Sequence, residues 1–258
     1  MKNLQLVIPA AGLGSRFRSV GIDTPKPLIE INGIPMINWV VGNFQLKPQD
    51  RIIVIGREED NLEALAENWY SSNELNIQFV SVPGLTEGPA MTVKEVLPLL
   101  DEDVPLVVAN SDQFVSKGLP AFIERVREQQ NDGLILTMNA TGKKWSYIER
   151  NFDGSVSRVA EKEEISSEAT VGIYSWSSVL LFAESISMME KMKDKVNGEY
   201  YVAPTYNYLI ARGHKIFAMN VGEVGYSVHG IGTPEDLALF QSRETLPDDS
   251  SKIRFYTN

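Results

Sequence analysis

Near its N-terminus the chain reads Gln5-Leu6-Val7-Ile8-Pro9, followed at once by Ala10-Ala11-Gly12-Leu13-Gly14-Ser15-Arg16. The first run is largely apolar and rich in branched side chains, which predicts a short buried strand. The small residues after it predict a loop whose backbone N–H groups can approach an anion closely. Arg16 adds a forked cation suited to phosphate. A plain strand-to-helix turn can have the same sequence, so the loop alone leaves both interpretations open.

Two familiar phosphate-binding motifs do not match this loop. The dinucleotide-binding fingerprint requires a third glycine, and Phe17 stands at that position. The Walker loop ends in Gly-Lys-Ser or Gly-Lys-Thr, whereas this loop ends in Gly14-Ser15-Arg16. The loop is therefore of another kind.

A second motif, Thr24-Pro25-Lys26-Pro27-Leu28, follows some ten residues downstream. The two prolines restrict the backbone on both sides of Lys26. A stiff loop that carries one lysine can place a positive charge against a phosphate and offset charge on a leaving group. Most lysines in loops are simply solvated, and it is the pairing with the glycine loop that favours a site.

The alternation of strand and helix patterns over the first half predicts a parallel sheet covered on both faces. The predicted strands are 5–9, 51–55, 76–82 and 105–109, and the predicted helices are 35–44, 61–68, 86–100 and 118–130. Further predicted strands follow at 133–138, 146–150, 156–160, 170–176 and 214–219, with helices at 177–195, 203–212 and from Thr233. Asp153-Gly154 is a hairpin signal, so this part predicts an antiparallel extension of the sheet. The predicted fold class is α/β, with a doubly wound, mixed but mainly parallel sheet.

Composition excludes several classes of function. The formal net charge of −10 disfavours binding to nucleic acid, because such binding depends on Lys and Arg contacts to phosphates. The absence of cysteine excludes disulfides and thiolate chemistry, and the presence of only His214 and His229 disfavours a multi-histidine metal site. No apolar run approaches the roughly 20 residues that span a bilayer, and no leader pattern precedes the first strand. The expectation is a cytoplasmic protein without a membrane partner.

Taken together, the motifs resemble the signature of the sugar-phosphate nucleotidylyltransferase superfamily. The matching segments are Pro9 to Arg16, then Thr24-Pro25-Lys26-Pro27-Leu28, then Gly33-Ile34-Pro35-Met36. This superfamily includes the glucose-1-phosphate thymidylyl- and uridylyltransferases and the phosphocholine cytidylyltransferase-like proteins. The resemblance extends to about Asp236 and implies a sheet of the glycosyltransferase-A type. It also implies Mg²⁺ as cofactor, and attack by the phosphate of a small-molecule acceptor on the α-phosphate of an NTP, with release of pyrophosphate.

The resemblance assigns further residues. Arg16, Lys26 and Asp112 would be catalytic, with Asp112 also the magnesium ligand. The nucleotide would contact Ala10, Ala11, Gly12, Leu13, Gly14, Ser15, Glu87, Gly88, Asn110 and Ser111. The acceptor would contact Glu161, Lys162, Gly172 and Glu199. It also implies a single domain over residues 1–245, with a nucleotide-binding half (1–130) and an acceptor-binding half (131–245). Residues 246–258 contain the polar, turn-rich run Pro247-Asp248-Asp249-Ser250-Ser251, which predicts a flexible tail.

One position departs from the resemblance. The superfamily typically reads Asp-x-Gly-Thr-Pro near its end, where the aspartate is a second magnesium ligand, but this chain reads His229-Gly230-Ile231-Gly232-Thr233-Pro234. Gly230 replaces the aspartate, and the adjacent His229 is a poor ligand for Mg²⁺. The metal could be held by Asp112 with phosphates and water, a carboxylate from another segment could substitute, or catalysis could be weak or absent.

Two other functions are therefore kept as alternatives. A glycosyltransferase of the same fold usually carries Asp-x-Asp, whereas this chain has a single acid in Ser111-Asp112-Gln113. A non-catalytic nucleotide-binding homologue would explain Gly230. The motifs leave open the nucleobase, the oligomeric state and the acceptor, which could be a sugar 1-phosphate or a phosphocholine-like molecule. Surface-polysaccharide precursor synthesis is a setting implied only by the resemblance.

Overall fold

The computed structural model describes residues 3–63, 76–117 and 119–242. Most of the predicted helix 61–68 lies outside these residues, as does Gly118 at the start of another predicted helix. The predicted tail 246–258 lies wholly outside them.

The described chain contains thirteen strands, seven α-helices and three short 3-10 helices. The strands are β1 (Gln5–Pro9), β2 (Glu30–Ile31), β3 (Ile34–Pro35), β4 (Arg51–Arg57), β5 (Asn76–Val82), β6 (Leu106–Ala109), β7 (Gln113–Val115), β8 (Gly133–Asn139), β9 (Ser146–Arg150), β10 (Val156–Glu161), β11 (Glu168–Trp176), β12 (Ile216–Glu223) and β13 (Val228–Gly230). The α-helices are α1 (Ser15–Arg18), α2 (Met36–Gly42), α3 (Pro89–Lys94), α4 (Leu119–Glu128), α5 (Val179–Met192), α6 (Thr205–Ile210) and α7 (Pro234–Gln241). Short 3-10 helices lie at Lys26–Leu28, Glu58–Asp60 and Leu97–Leu99. Among the described helices, none has the length and hydropathy needed to cross a bilayer.

A mixed sheet of nine strands forms the centre of the molecule. Its parallel part has the order β6-β1-β4-β5. On the other side of β6 the antiparallel strand β11 continues the sheet, and β11 in turn pairs with β8 and β9. The hairpin of β9 and β10 forms one end, and β12 lies parallel to β8. The doubly wound, mainly parallel sheet and its antiparallel extension are thus both confirmed.

Apolar residues cover both faces of the sheet. Alternate residues of β1 belong to two separate hydrophobic clusters, with Leu6 and Ile8 in one and Val7 in the other. Side chains along a strand point alternately to the two faces, so a strand buried on both faces is apolar throughout. This is why the parallel strands appear in the sequence as unbroken apolar runs.

The order of the strands decides where a ligand can bind. The chain passes from β1 to β4 and β5 on one side, and then crosses to β6 on the other side of β1. The carboxyl ends of β1 and β6 therefore open into a crevice at a topological switch point. The glycine loop follows β1, and Asn110-Ser111-Asp112 follow β6, so both segments lie at this crevice.

The predicted helix 86–100 is in fact two shorter pieces. Gly88 has φ of +121°, which a helix does not allow, so α3 begins at Pro89. Pro98 then lacks the N–H that a continued helix needs, and the chain forms the 3-10 helix Leu97–Leu99 instead. The side chains of Ser178 and Thr233 cap the helices that follow them, and they accept the backbone N–H groups of Leu181 and Asp236.

A buried ion pair joins α4 to the start of β4. Arg127 and Asp50 form two hydrogen bonds, one of them 2.8 Å from Nη1 to Oδ1, and their side chains are 3% and 0% exposed. Asp50 also accepts the backbone N–H groups of Leu4 at 3.1 Å and Lys47 at 2.7 Å. A carboxylate with this many partners fixes the amino ends of β1 and β4 to α4.

We expect Asp50→Ala to lower the free energy of unfolding by about 3–5 kcal/mol, because it leaves the guanidinium of Arg127 buried without its counter-ion. Urea denaturation measures this loss. Glu184→Ala is the matched control, since Glu184 pairs with Arg212 at the surface and its removal should cost at most about 0.5 kcal/mol. Equal losses in the two variants would contradict a structural role for the buried pair.

Candidate active site

A first cavity of about 390 Å³ lies at the carboxyl ends of β1 and β6. Residues from both strand ends, from the Lys26 loop and from α3 form its walls. It is lined by Pro9, Ala10, Ala11, Gly12, Gly14, Ser15, Arg16, Lys26, Leu85, Thr86, Gly88, Pro89, Thr92, Asn110, Ser111, Asp112, Glu199 and Gly232. Most of the residues expected to bind nucleotide therefore share one cavity, whereas Leu13 and Glu87 are not among those that line it.

The glycine loop packs closely against the Lys26 loop. Gly14 has φ of +63°, a left-handed conformation, and directly precedes α1. A Cβ at Gly14 would lie 3.3 Å from Cβ of Lys26, which is tighter than an ordinary contact. Glycine at this position thus satisfies a backbone requirement and lets the two loops meet. Their meeting is what brings Lys26 to the wall of the cavity.

Lys26 forms an ion pair with Asp112 across the cavity. Pro25 precedes Lys26, which begins a 3-10 helix, and the side chains of Lys26 and Asp112 are 19% and 26% exposed. Asp112 follows β6, whereas Lys26 comes from the segment after β1, so the pair links the two strand ends. Arg16 lines the same cavity, so positive charge collects here in a protein with a net charge of −10.

The segment around Glu199 is joined to the start of α3 through its backbone. The N–H of Tyr200 donates to the carbonyl of Glu87 at 2.8 Å, and the N–H of Ala90 donates to the carbonyl of Tyr200 at 3.1 Å. A Cβ at Gly88 would lie 2.6 Å from the Tyr200 backbone, so only glycine permits this approach. Glu199, expected at the acceptor, consequently lines the first cavity.

Glu87 does not line the first cavity. Its carboxylate pairs with Lys195 at 2.7 Å, and Lys195 also lies over the ring of Tyr200 at 4.8 Å. The hydrogen bond to Glu87 raises the pKa of Lys195, and partial burial of the ammonium group lowers it. The hydrogen bond has the larger effect, so the pKa is raised. The backbone carbonyl of Glu87 thus accepts the N–H of Tyr200, while its side chain pairs with Lys195.

A second cavity of about 520 Å³ adjoins the first. Its walls come mainly from the antiparallel extension, from the segment after α5 and from the start of α7. It is lined by Arg16, Pro89, Asn110, Asp112, Gln113, Lys144, Trp145, Ser146, Glu161, Lys162, Thr170, Gly172, Tyr174, Tyr201, Val202, Ala203, Gly230, Gly232, Thr233, Glu235 and Asp236. The two cavities share Arg16, Pro89, Asn110, Asp112 and Gly232. They therefore meet beside the Asp112 carboxylate.

Strand β11 bends where the cavities meet. Gly172 has φ of +85°, and the register between β8 and β11 shifts between Thr170 and Tyr174. A Cβ at Gly172 would overlap the side-chain amide of Asn110, while the Gly172 carbonyl accepts the N–H of Asn110 at 2.8 Å. The bend lets Asn110 reach the boundary between the two cavities.

Glu161, Lys162 and Tyr201 form the polar wall of the second cavity. Ser146 donates a hydrogen bond to Glu161, and Lys162 bonds to the hydroxyl of Tyr201 and lies over its ring at 4.3 Å. Lys162 has φ of +58° and its N–H donates to the Trp145 carbonyl at 2.9 Å, so the backbone is fixed in an uncommon conformation here. Tyr201 donates in turn to Glu199 at 2.5 Å, which connects this wall to the first cavity.

Burial raises the pKa of Glu161, although the hydrogen bond from Ser146 and the charge of Lys162 oppose the shift. Burial and the hydrogen bond to Glu199 raise the pKa of Tyr201, which keeps its hydroxyl protonated and able to donate. The wall therefore offers one partly buried carboxylate, whose ionisation is disfavoured, and one cation. Such an arrangement suits a ligand that carries both hydroxyl groups and an anionic group.

His229 faces away from both cavities. It is 4% exposed and stacks against Phe114, with ring centroids 6.0 Å apart, and it also contacts Phe240. Along β13 successive side chains alternate, so Gly230 faces the opposite side from His229. The structure thus makes His229 a part of the aromatic core.

Several cavity residues were not identified from the sequence. Thr86 and Thr92 line the first cavity and form a hydroxyl pair at 2.6 Å. Lys144, Gln113 and Asp236 line the second cavity. In the sequence Asp236 is indistinguishable from an acid in the first turn of a helix, and only the fold brings it next to Gly230.

The sheet topology, with a cavity at the carboxyl ends of its central strands, defines a class of α/β proteins that bind ligands at a topological switch point. The chain belongs to the nucleotidyl transferase family, whose model matches residues 5–216. This confirms the superfamily suggested by the sequence motifs.

Individual relatives agree with this assignment. The chain is 27% identical over 238 residues to the bifunctional protein GlmU of Bordetella parapertussis, covering 85% of this chain and 48% of that protein. It is 29% identical over 247 residues to GlmU of Thermodesulfovibrio yellowstonii, covering 92% of this chain and 51% of that protein. The chain thus spans about half the length of these curated relatives.

Solved structures share the fold. The nucleoside-diphosphate-sugar pyrophosphorylase from Vibrio cholerae RC9 has a TM-score of 0.79 at 24% identity, over 92% of this chain and 100% of that one. The inositol-1-phosphate CTP transferase from T. maritima has a TM-score of 0.73 at 13% identity, over 95% and 99% of the two chains. At these identities the similarity establishes the fold.

We expect Glu161→Gln to raise the melting temperature at neutral pH. Because the folded-state pKa of Glu161 is raised, ionisation is costlier in the folded protein, and stability falls as the pH rises from the unfolded pKa of about 4.3 through the raised folded value. Glutamine can still accept the bond from Ser146 and carries no charge. Thermal melts across pH should show the gain shrinking towards acidic pH. A gain that is independent of pH would contradict the assignment to Glu161 ionisation.

Proposed function

We propose that this protein transfers a nucleoside monophosphate unit from an NTP to the phosphate of a small-molecule acceptor and releases pyrophosphate. The observation that carries this proposal is the junction of the two cavities at Arg16, Asn110 and Asp112. An NTP in the first cavity and a phosphorylated acceptor in the second would place their reacting phosphates beside these side chains. Family membership supports the same reaction class.

In the first cavity the glycine loop would hold the triphosphate. Backbone N–H groups of residues 11–15 would supply donors, and Arg16 and Lys26 would supply positive charge. The N–H of Ala10 is already bonded to the Ile55 carbonyl at 2.7 Å. Lys26 would move from Asp112 towards the phosphates, because a triphosphate offers it a larger negative charge than one carboxylate does. Gly88, Asn110 and Ser111 would contact the nucleoside, with the Thr86 and Thr92 hydroxyls close by.

In the second cavity Lys162 would pair with the acceptor phosphate. Glu161 would accept hydrogen bonds from hydroxyl groups of the acceptor, which repays the cost of its burial. Gly172 lets the acceptor approach the backbone of β11. Glu199 would act from the nucleotide side, holding Tyr201, and through it Lys162, in position.

The residues present suit a magnesium ion. Asp112 offers a hard carboxylate, the ligand that Mg²⁺ prefers when it also binds substrate phosphates. A side chain at Gly232 would overlap this carboxylate, so glycine keeps the space around it free. A bound Mg²⁺ would neutralise charge on the NTP phosphates.

The reaction balances without a nucleophile from the protein. An oxygen of the acceptor phosphate forms a bond to the α-phosphorus, and the bond from that phosphorus to the β-phosphate oxygen breaks. Pyrophosphate leaves with the electron pair. The acceptor phosphate is ionised at pH 7, so this chain's contribution is to orient both substrates and to offset the developing charge through Arg16 and Lys26.

This reaction agrees better with the structure than glycosyl transfer does. Lys26 lies against Asp112, where a departing pyrophosphate would need a cation. We place the reaction in the cytoplasm, where NTPs are available, and propose a role in surface-polysaccharide precursor synthesis. The acceptor is then a sugar 1-phosphate or a phosphocholine-like molecule.

Lys26→Ala should lower the turnover number for pyrophosphate release by about 10²- to 10³-fold, since it removes a preorganised charge at the leaving group. A panel of NTPs and phosphorylated acceptors, assayed for pyrophosphate, measures this. Asp112→Asn should give a loss of similar size.

Lys191→Ala is the control, because Lys191 is an exposed lysine on α5 that lines neither cavity. It should retain wild-type turnover, and all three variants should keep a folded circular dichroism spectrum. Unchanged turnover in both Lys26→Ala and Asp112→Asn would refute the proposed mechanism.

A further inference from the structure

The carboxylate of Asp236 lies in the space that a side chain at position 230 would occupy. A Cβ at Gly230 would lie 3.3 Å from Oδ2 of Asp236 and 3.6 Å from its Cγ. Asp236 is in the first turn of α7, whose N-cap Thr233 accepts its backbone N–H at 3.1 Å. The backbone of Asp236 is thus fixed by the cap, and its side chain is directed at β13.

Gln113 points to the same region from the opposite strand. It is the direct antiparallel partner of Gly230 in the pairing of β7 with β13, and side chains of such partners project from the same face. Gln113 is 8% exposed, and its Oε1 atom is buried with no hydrogen-bond partner among the described residues. A buried amide oxygen without a partner is costly, and a bound cation would supply the missing partner.

Asp112 is the third residue at this place, beside Asp236 and Gln113. Its backbone carbonyl accepts the N–H of Ile231 at 2.9 Å, which holds the segment 230–232 against the start of β7. Its carboxylate fills the space next to Gly232, just as Asp236 fills the space next to Gly230. The two carboxylates therefore flank one short backbone segment, and both line the second cavity together with Gln113.

We propose that Asp236 and Asp112 together bind the divalent cation of this protein, with the amide oxygen of Gln113 as a further oxygen donor. The proposal rests on the function proposed above and specifies which residues hold its metal. The donors are all oxygens, and two of them are carboxylates, a set that suits Mg²⁺ or Mn²⁺. Gly230 would then leave room for a carboxylate that another segment supplies.

The contacts of Asp236 leave its carboxylate available. Within the described part of the chain its ionic partner is Lys144, whose Nζ lies 3.7 Å from Oδ1, beyond hydrogen-bond distance. An acid at this helix position often bonds back to the N-cap N–H. Here Asp236 faces Gly230 instead, so helix capping does not account for its orientation.

The test is a titration of the full-length protein with Mn²⁺ alone, in which free Mn²⁺ is followed by electron paramagnetic resonance. Asp236→Asn should weaken Mn²⁺ binding by about 10- to 100-fold, because it removes one of two charged ligands. Glu124→Gln is the control. It removes the same charge from an exposed acid on α4 that lines neither cavity, and it should change the Mn²⁺ affinity by less than about threefold, because solvent screens an exposed charge.

A relocated carboxylate provides a second measurement. Asp236→Ala should lose Mn²⁺ affinity, and the double variant Gly230→Asp/Asp236→Ala should regain most of it, since the backbone at Gly230 accepts a side chain and Asp236 no longer fills the space. If Asp236→Asn does not fold, the Mn²⁺ affinity of the double variant shows whether a carboxylate at this place binds the metal. Wild-type affinity in Asp236→Asn, or a double variant no better than Asp236→Ala, would overturn the proposal.

Pyrophosphate release by the wild-type protein separates this proposal from the proposed function. If the wild type releases pyrophosphate while Asp236→Asn binds Mn²⁺ normally, the reaction stands and only the assignment of Asp236 fails. If the wild type binds Mn²⁺ through Asp236 but turns over no NTP with any acceptor, the metal site stands and the proposed function fails.

Discussion

The ion pair between Lys26 and Asp112 is the contact on which the site depends. It exists because the chain crosses from one side of β1 to the other, so that segments far apart in sequence meet at the carboxyl ends of β1 and β6. A lysine and a carboxylate that hold each other in this way are placed before any substrate arrives. A triphosphate would offer Lys26 a stronger partner, and a metal ion would offer Asp112 one. Substrate binding would therefore replace the ion pair with two new contacts at charges that are already in position.

Close approach of backbone segments gives the site its shape. Gly14 lets the glycine loop meet Lys26, Gly88 lets the Tyr200 segment meet α3, and Gly172 lets β11 meet Asn110. At each of these positions φ is positive and a Cβ would crowd its neighbour, so the reasons for glycine are conformational and steric at once. At Gly232 the reason is steric alone, because a Cβ there would overlap the Asp112 carboxylate.

Much of the fold and of the first cavity could be predicted from the sequence, because the patterns that indicate them are local. The apolar run of β1, the glycine loop and the prolines around Lys26 each restrict the backbone where they stand, and β1 and the doubly wound sheet were predicted correctly. The pairing of β7 with β13 could not be predicted, since three-residue strands carry no periodic pattern. That pairing is what brings Gln113, Gly230 and Asp236 together. The side chain of Glu87 was likewise unpredictable, because its partner Lys195 is distant in sequence.

The most direct test of the account is a crystal structure of the protein with a non-hydrolysable NTP analogue and Mn²⁺, with data collected for the anomalous signal of manganese. We expect the triphosphate on the backbone of residues 11–16 and the anomalous peak beside the Asp112 carboxylate, with Lys26 turned towards the phosphates. A triphosphate bound elsewhere, or a manganese peak remote from Asp112, would contradict it.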